Sequence, residues 1–384
     1  MSAFRVLYSI GVRFAGGGIG NVAHHGVSGL YRHGMLRRLL CGSYRSTEIP
    51  DACIRSLGPL SRLLRKLAVY DPGRFRITSF HNVLYDRWVR RNLEPCDIFL
   101  SWNGFGLQAL RKAKAGGART AVYRASSHPL EQARLLREEH LRWGQRHESR
   151  GAAVDRATTE IQEADYVVIP SDFVYQSCLK QGLEPHKLIQ IPFGVDVTRF
   201  HPPGAPPAEI PFRVLFVGQL GLRKGAQYLL QAWEKLRWSD AELWLVGRVQ
   251  TDFEALLRSY RHLPGLRLQT HIADLAPFLR RGHLFIFPTI EEGSALAVYE
   301  AMASGLPVIT TPNAGSLVRD DQDGYIVPIR DVETLAERME ALRTDAQRRS
   351  EMGKAARRRV EPYTWRRYAD ALAAKLDEVA GARA

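Results

Sequence analysis

The chain has 384 residues, 45% hydrophobic and 24% charged, with 32 Gly and 20 Pro spread along its length. At roughly 100–200 residues per domain, this predicts two globular domains, each able to bury a core. No apolar run approaches the ~20 residues needed to cross a bilayer, and Arg5 and Arg13 interrupt the apolar N-terminus without a small-residue cleavage site, so neither a span nor a secretory signal is expected. Cys41, Cys53, Cys96 and Cys178 show no CxxC spacing, which points to a reducing cytosol. Of the net charge of +14, residues 1–150 carry +15, from 25 Lys and Arg against 10 Asp and Glu, and the remainder carries −1. Such asymmetry fits either a half that faces an anionic partner or a solvated arginine-rich surface.

Strand-length apolar runs alternate with helical patterns. Phe4–Ser9 is followed by a glycine loop and a helix to about His33, then by strands at Met35–Cys41, Asp97–Ser101 and Arg119–Tyr123. A helix over Leu130–Arg142, a strand at Tyr166–Ile169, a helix over Phe173–Gln181 and a strand at Leu188–Ile191 complete the first half. Prolines crowd the stretch after Phe200-His201 and interrupt both periodicities, marking a linker. The alternation resumes with strands at Arg213–Val217, Glu242–Val246, Leu266–Thr270, Leu284–Phe287 and Val308–Thr310 and helices from Lys224, near Phe253 and from Ser294; a last amphipathic helix covers Trp365–Val379. The expected plan is α/β with parallel sheets: a domain over 1–195, a linker over 196–212, a domain over 213–363 and a C-terminal helix over 364–384 that packs on the second domain or crosses to the first. In open sheets of this kind, ligands bind at the carboxyl ends of the strands.

The sharpest local pattern is Pro288-Thr-Ile-Glu291-Glu292-Gly293-Ser294-Ala295-Leu296, with Glu300 following. A buried strand ends at the proline, and the loop opens a helix with Ser294 as its expected N-cap. The first turn offers unpaired N–H groups and the positive end of the dipole, suited to phosphate. Glu292 and Glu300 are expected ~12 Å apart at ~1.5 Å per residue, beyond the ~5–9.5 Å of a hydrolytic carboxylate pair. Two carboxylates gripping hydroxyl groups fit better, although a plain cap with a solvated glutamate also accounts for the pattern.

A second element, Gly218-Gln219-Leu-Gly221-Leu-Arg223-Lys224-Gly225, follows a strand and brings two cations to the same edge. A third, Gly16-Gly17-Gly18-Ile19-Gly20, is a loose GxGxxG without the closing acidic residue, so a cleft-lining glycine loop or a tight turn is expected rather than a dinucleotide site. His128, in Arg124-Ala-Ser-Ser127-His128-Pro129 at a strand end, is expected to face the cleft. Asp321-Gln-Asp323 spells DxD within a turn sequence, and no metal site is expected there.

Together these residues resemble the retaining GT-B glycosyltransferases of family 4, which use nucleotide-diphosphate sugars. The likeness rests on Glu292 and Glu300 with seven residues between them, on Arg223-Lys224-Gly225, on the run Ala301–Ile309, and on Ile191-Pro-Phe-Gly194-Val-Asp196 ahead of Phe200-His201; it covers residues 164–342. It implies the GT-B fold, two Rossmann-like domains with parallel sheets facing a central cleft. By this resemblance Glu300 holds the ribose, Glu292 the transferred sugar, and the amides of Gly293, Ser294, Ala295 and Leu296 the diphosphate, with Gly218 and Gln219 also lining the donor site. Lys224 neutralises the leaving group, Arg223 stands in for an arginine the family usually carries where this chain has Gln219, and His128 touches the donor sugar.

The resemblance further implies no cofactor beyond the nucleotide-sugar co-substrate and no essential metal. Front-face attack is the favoured route, with the leaving phosphate taking the acceptor's proton. The expected acceptor is a glycan or lipid-linked molecule, and nucleic acid is not an expected partner. A cytoplasmic enzyme is expected, with peripheral contact at an anionic membrane through basic segments such as Arg62, Arg65 and Lys66 among Leu60, Leu63, Leu64 and Leu67; those leucines equally suit a core. Two alternatives stay open: a nucleotide-sugar epimerase or hydrolase of the same fold, and a non-catalytic basic protein binding membrane or nucleic acid.

Overall fold

A computed structural model of the chain describes residues 4–68, 75–145, 151–204 and 211–381. It divides into two compact units: Met1–Ala133, Glu148–Phe193 and Trp365–Ala384 form the first, and Arg134–His147 and Gly194–Thr364 the second. The middle of the proline-rich linker, 205–210, and the last residues of the C-terminal segment, 382–384, lie outside the described residues.

The first unit holds strands β1 (Val6–Phe14), β2 (Leu36–Tyr44), β3 (Ile54–Ser56), β4 (Ile98–Trp102), β5 (Arg119–Tyr123), β6 (Tyr166–Ile169) and β7 (Leu188–Gln190). They form one parallel sheet in the order β3-β2-β1-β4-β5-β6-β7. The second unit holds β8 (Phe212–Val217), β9 (Ala241–Val246), β10 (Leu266–Gln269), β11 (Leu284–Phe287), β12 (Val308–Thr310) and β13 (Gly324–Ile326), in the order β10-β9-β8-β11-β12-β13. All residues of β4 and β11 are buried, as expected of central parallel strands covered by helices on both faces. Each sheet has the doubly wound Rossmann-like order, which reverses between β1 and β4 in the first unit and between β8 and β11 in the second. At such a reversal, adjacent crossovers leave in opposite directions and open a crevice at the carboxyl ends of the strands.

Two departures from the predicted elements have local causes. β1 runs on to Phe14, past the predicted end at Ser9, because Arg13 turns its side chain to solvent while its backbone stays paired beside Ser43. β3 was not expected; three residues carry no periodicity, and pairing of Ile54 with Leu39 forms it. The DxD sequence is likewise tied up locally, with the buried Asp323 carboxylate accepting from Arg319 at 2.7 and 2.8 Å and Asp321 accepting from Arg348 at 2.8 Å.

The C-terminal helix Trp365–Gly381 packs on the helix Ile19–Arg32 within the first unit. Tyr368, Ala369, Leu372, Leu376 and Val379 form its buried stripe. Gly26 and Gly29 provide the room: a Cβ on Gly29 would stand 2.7 Å from the Cβ of Ala369 and 3.0 Å from its carbonyl oxygen. His25 stacks on Trp365 at 4.2 Å, and His33 lies 3.0 Å from Asp370.

The helix Pro59–Leu67 is peripheral, with only Ser61 buried. Leu60, Leu63 and Leu67 are 45%, 54% and 45% exposed, so they are surface rather than core. No described helix is long and apolar enough to cross a membrane.

Gly29→Val is expected to force the two packed helices apart and lower stability by about 1–3 kcal/mol. Urea unfolding of the variant measures this, and parental stability would contradict the described contact.

Candidate functional site

In the second unit, the loops that follow the two reversal-point strands are joined to each other. After β8 the chain makes a short turn over Leu222–Lys224 and enters the helix Ala226–Leu236 through Gly225, whose φ is 73°. A Cβ there would lie 1.8 Å from the carbonyl oxygen of Pro288, so only glycine lets this loop seat against the end of β11. The Arg223 carbonyl then accepts from Ile290 N at 2.9 Å and from Thr289 Oγ1 at 3.0 Å. Asn313 secures the other side, with Nδ2 donating to the Ile290 carbonyl at 2.7 Å and its own carbonyl accepting from Glu292 N at 3.0 Å.

This seating gathers four charged groups. Arg223 reaches Glu291 at 3.0 Å and Glu292 at 3.4 Å, and the Lys224 ammonium contacts the Glu292 carboxylate. Glu291 is fully buried and Lys224 is 8% exposed. Burial, then the Arg223 charge, pushes the Lys224 ammonium well below the usual lysine range, and Glu291 opposes the shift. Glu291 was not singled out in the sequence; the adjacent Glu292 carried the pattern, and nothing local indicates that its neighbour turns inward to Arg223.

The helix beyond begins later than expected. It covers Leu296–Ala303, and its N-cap is Ala295 rather than Ser294. Ser294 Oγ instead donates to the Tyr299 hydroxyl at 3.2 Å, so the hydroxyl is not spent on the helix end. Glu292 therefore lies outside the helix, and the ~12 Å helical spacing from Glu300 does not apply. Of the amides expected to face an anion, that of Ala295 is already bonded to the Ala314 carbonyl at 3.1 Å. Those of Ser294, Leu296 and the further residue Ala297 donate to no acceptor among the described residues. Gly293 is buried in the same loop.

Glu300 is half-buried, one helical turn before the C-terminus. No side chain pairs with its carboxylate among the described residues. Burial raises its pKa to about 7, opposed by Arg199, a cation that sequence reading missed because it lies a hundred residues away. Arg199 also bonds Asp274 at 3.1 Å. Near β8, Gly218 packs closely against the Phe287 ring, where a Cβ would approach to 3.2 Å, and Gln219 is exposed.

The remaining expected residues belong to the first unit. Gly16 and Gly20 fold tightly over the Arg13 carbonyl, which a Cβ on Gly20 would approach to 2.2 Å, whereas Gly17 and Gly18 face open space. This loop follows β1, one of the reversal-point strands. His128 follows β5 and is buried, with its backbone N donating to Ser177 Oγ at 2.8 Å and its Nδ1 accepting from Leu130 N at 3.3 Å. Burial, then Arg124, lowers its pKa to about 4 against the opposing charge of Glu131. The ring is thus neutral at pH 7 with its proton on Nε2, and that buried nitrogen has no hydrogen-bond partner among the described residues.

Known proteins resemble this chain in sequence and in fold. Residues 211–345, which include the charged cluster and the helix Leu296–Ala303, match the family model described as Glycosyl transferases group 1. The capsular polysaccharide biosynthesis glycosyltransferase CapM of Staphylococcus aureus is 31% identical over 157 residues, 39% of this chain and 41% of that protein. The sulfoquinovosyl transferase SQD2 of Arabidopsis thaliana is 28% identical over 224 residues, 53% of this chain and 42% of that protein. The chain thus spans about half the length, or less, of the first curated relatives it matches. Among solved structures, WaaG, a glycosyltransferase involved in lipopolysaccharide biosynthesis, is similar with a TM-score of 0.71 at 18% identity, covering 97% of this chain and 99% of that one. The two parallel-sheet, Rossmann-like domains are those of the GT-B fold.

The shifted carboxyl of Glu300 has a measurable consequence. Its pKa is about 7 in the folded chain against 4.5 for the ordinary group, so between these values the folded state holds more protons than the unfolded one. The stabilisation relative to the ionised form is complete below the lower value and is lost as pH rises toward 7. Glu300→Gln stays neutral and is expected to lose less stability than the parent between pH 5 and 7 in paired urea titrations. Glu160 in the first unit, raised to about 7 mainly by burial, is common to both proteins, so the comparison isolates Glu300. Equal losses would show that Glu300 titrates as it does in water.

Proposed function

We propose that the chain is a glycosyltransferase that moves a sugar from a nucleotide-diphosphate donor, with retention of anomeric configuration, onto a glycan or lipid-linked acceptor. The observation that carries this reading is the partly buried Arg223–Lys224–Glu291–Glu292 cluster beside the open amides of Ser294, Leu296 and Ala297. The match of residues 211–345 to Glycosyl transferases group 1 supports it, as do relatives named for capsular polysaccharide and sulfoquinovosyl transfer.

The chemistry follows from charge. Breaking the anomeric C–O bond leaves negative charge on the diphosphate, where Lys224, Arg223 and the helix amides stabilise it. With the donor bound, the diphosphate takes the place of the Glu292 carboxylate at Lys224, and Glu292 turns to the hydroxyls of the transferred sugar. Glu300 accepts from the ribose hydroxyls, and the neutral His128 supplies its Nε2 proton as a hydrogen-bond donor to the sugar. The acceptor oxygen attacks from the face the leaving group vacates, and the leaving phosphate takes the acceptor's proton, so no enzymic base is needed.

Lys224→Ala is expected to lower kcat by about 10²–10³-fold, the loss typical of removing one such charge-stabilising donor, whereas Glu300→Ala should mainly raise KM. Steady-state kinetics with the turned-over donor tests both, and parental turnover in Lys224→Ala would remove Lys224 from the mechanism.

The acceptor reading extends to a membrane surface. On the helix Pro59–Leu67, the exposed Leu60, Leu63 and Leu67 recur on one face, and Arg62, Arg65 and Lys66 occupy the other. A helix of this pattern lies at an anionic interface, with each cation near the surface contributing roughly 1 kcal/mol. Co-sedimentation with anionic vesicles at low salt is expected, with loss at high salt and on Leu63→Glu. Equal, negligible sedimentation with anionic and neutral vesicles would favour a soluble acceptor.

A further inference from the structure

The second unit contains a hollow of about 320 Å³ at the opposite edge of its sheet. Gly282 and His283, which lead into β11, and Leu306 and Pro307, which lead into β12, form part of its wall, so it lies at the amino ends of the strands. The charged cluster described above lies at their carboxyl ends. The hollow is therefore a separate place in the fold, and its volume is at the lower end of the ~300–1,000 Å³ common for small-molecule sites.

Its chemistry is one-sided. Arg280, Arg349 and Lys354 line it, and among the described residues no Asp or Glu does. Arg349 is a fixed cation: it is 6% exposed, its Nη1 donates to the carbonyls of Leu342 and Arg343 at 2.8 and 3.0 Å, and its guanidinium lies 5.2 Å over the Phe212 ring. Arg280 is held by His201 at 3.1 Å. The rest of the wall mixes the neutral polar side chains of His283, Ser304 and Ser350 with an apolar patch from Pro202, Leu306 and Pro307. Arginines held in this way suit the oxygens of a phosphate, and three cations favour a dianion over a single negative charge. The proline and leucine surface suits a small apolar body attached to it.

The hollow also touches the helix of the candidate site. Ser304, in its wall, is the C-cap of Leu296–Ala303, and its N and Oγ donate to the Glu300 carbonyl at 3.0 and 2.8 Å. The left-handed turn at Gly305 (φ 78°) that follows rests on Pro202, where a Cβ would approach the ring to 3.0 Å. A ligand against Ser304 and Pro202 thus bears on the end of the helix that carries Glu300.

We propose that this hollow is an effector site for a small phosphomonoester, whose occupancy steadies the helix Leu296–Ala303 from its carboxyl end. The test uses the full chain and phenyl phosphate, read by calorimetric titration and by amide hydrogen exchange. Arg280→Ala combined with Lys354→Ala should weaken binding at least about tenfold, the equivalent of one charge-assisted contact, whereas Lys224→Ala should bind like the parent. Phenylacetate, similar in shape but singly charged, should bind at least about tenfold more weakly. Saturating phenyl phosphate should slow exchange of the Leu296–Ala303 amides in the parent and not in the double variant. Unchanged binding in the double variant, or loss of binding in Lys224→Ala, overturns the site. Equal binding of phenylacetate overturns the phosphomonoester, and unaltered exchange of the helix overturns its effector role. None of these readouts needs sugar transfer, so their failure is distinguishable from failure of the transferase reading.

Discussion

The contact between Gly225 and the carbonyl of Pro288 is the constraint on which the candidate site depends. It brings the loop after β8 against the loop after β11 with no room for a side chain between them, and only then do Arg223 and Lys224 meet Glu291 and Glu292. Two cations and two carboxylates close together are formally neutral, which is how a chain can fold an ammonium as buried as that of Lys224. Burying such a pair costs much of what its attraction returns, so the cluster is weak evidence for stability. Its value, in the proposed function, lies in what it prepares: an incoming diphosphate would find the Lys224 ammonium already desolvated and Arg223 held beside it, and would need only to displace one carboxylate.

Topology puts this seam where it is useful. β8 and β11 are the strands between which the second sheet reverses its order, so the loops at their carboxyl ends border a crevice instead of a packed crossover. The helix Leu296–Ala303 begins at the same edge with open amides, and its dipole adds positive potential to that of the two side chains. Glu300 sits along the same helix with its carboxyl half withdrawn from water. The first sheet repeats the plan, with the open glycines Gly17 and Gly18 after β1 at its own reversal point. Neutral His128 after β5 shows how burial can leave an imidazole as a hydrogen-bond donor rather than a charge.

Much of this was legible from sequence because the informative residues are contiguous. Leu284–Phe287 reads as a buried strand, Pro288 stops it, and the acidic loop and helix follow within a dozen residues; Arg223-Lys224-Gly225 is equally compact. What could not be read depends on partners distant in the chain. Glu291 turns inward because Arg223 lies there, the Ala295 amide is taken by Ala314, and Asn313 locks Glu292 N, none of which leaves a periodic signal. The N-cap moved from Ser294 to Ala295 for a similar reason, since the hydroxyl found Tyr299. Leu60, Leu63 and Leu67 were ambiguous until the position of their helix was known, because an amphipathic pattern gives the spacing of an apolar face but not whether protein covers it.

The proposed competition between Glu292 and a diphosphate for Lys224 sets an unusual sign for one measurement. Calorimetric titration of UDP, GDP and ADP into the parent and Glu292→Gln isolates the diphosphate from any contact with sugar. At least one of the three is predicted to bind the parent and to bind Glu292→Gln more tightly, because the competing carboxylate is gone. Weaker binding to Glu292→Gln, or binding of none of the three to the parent, would contradict it.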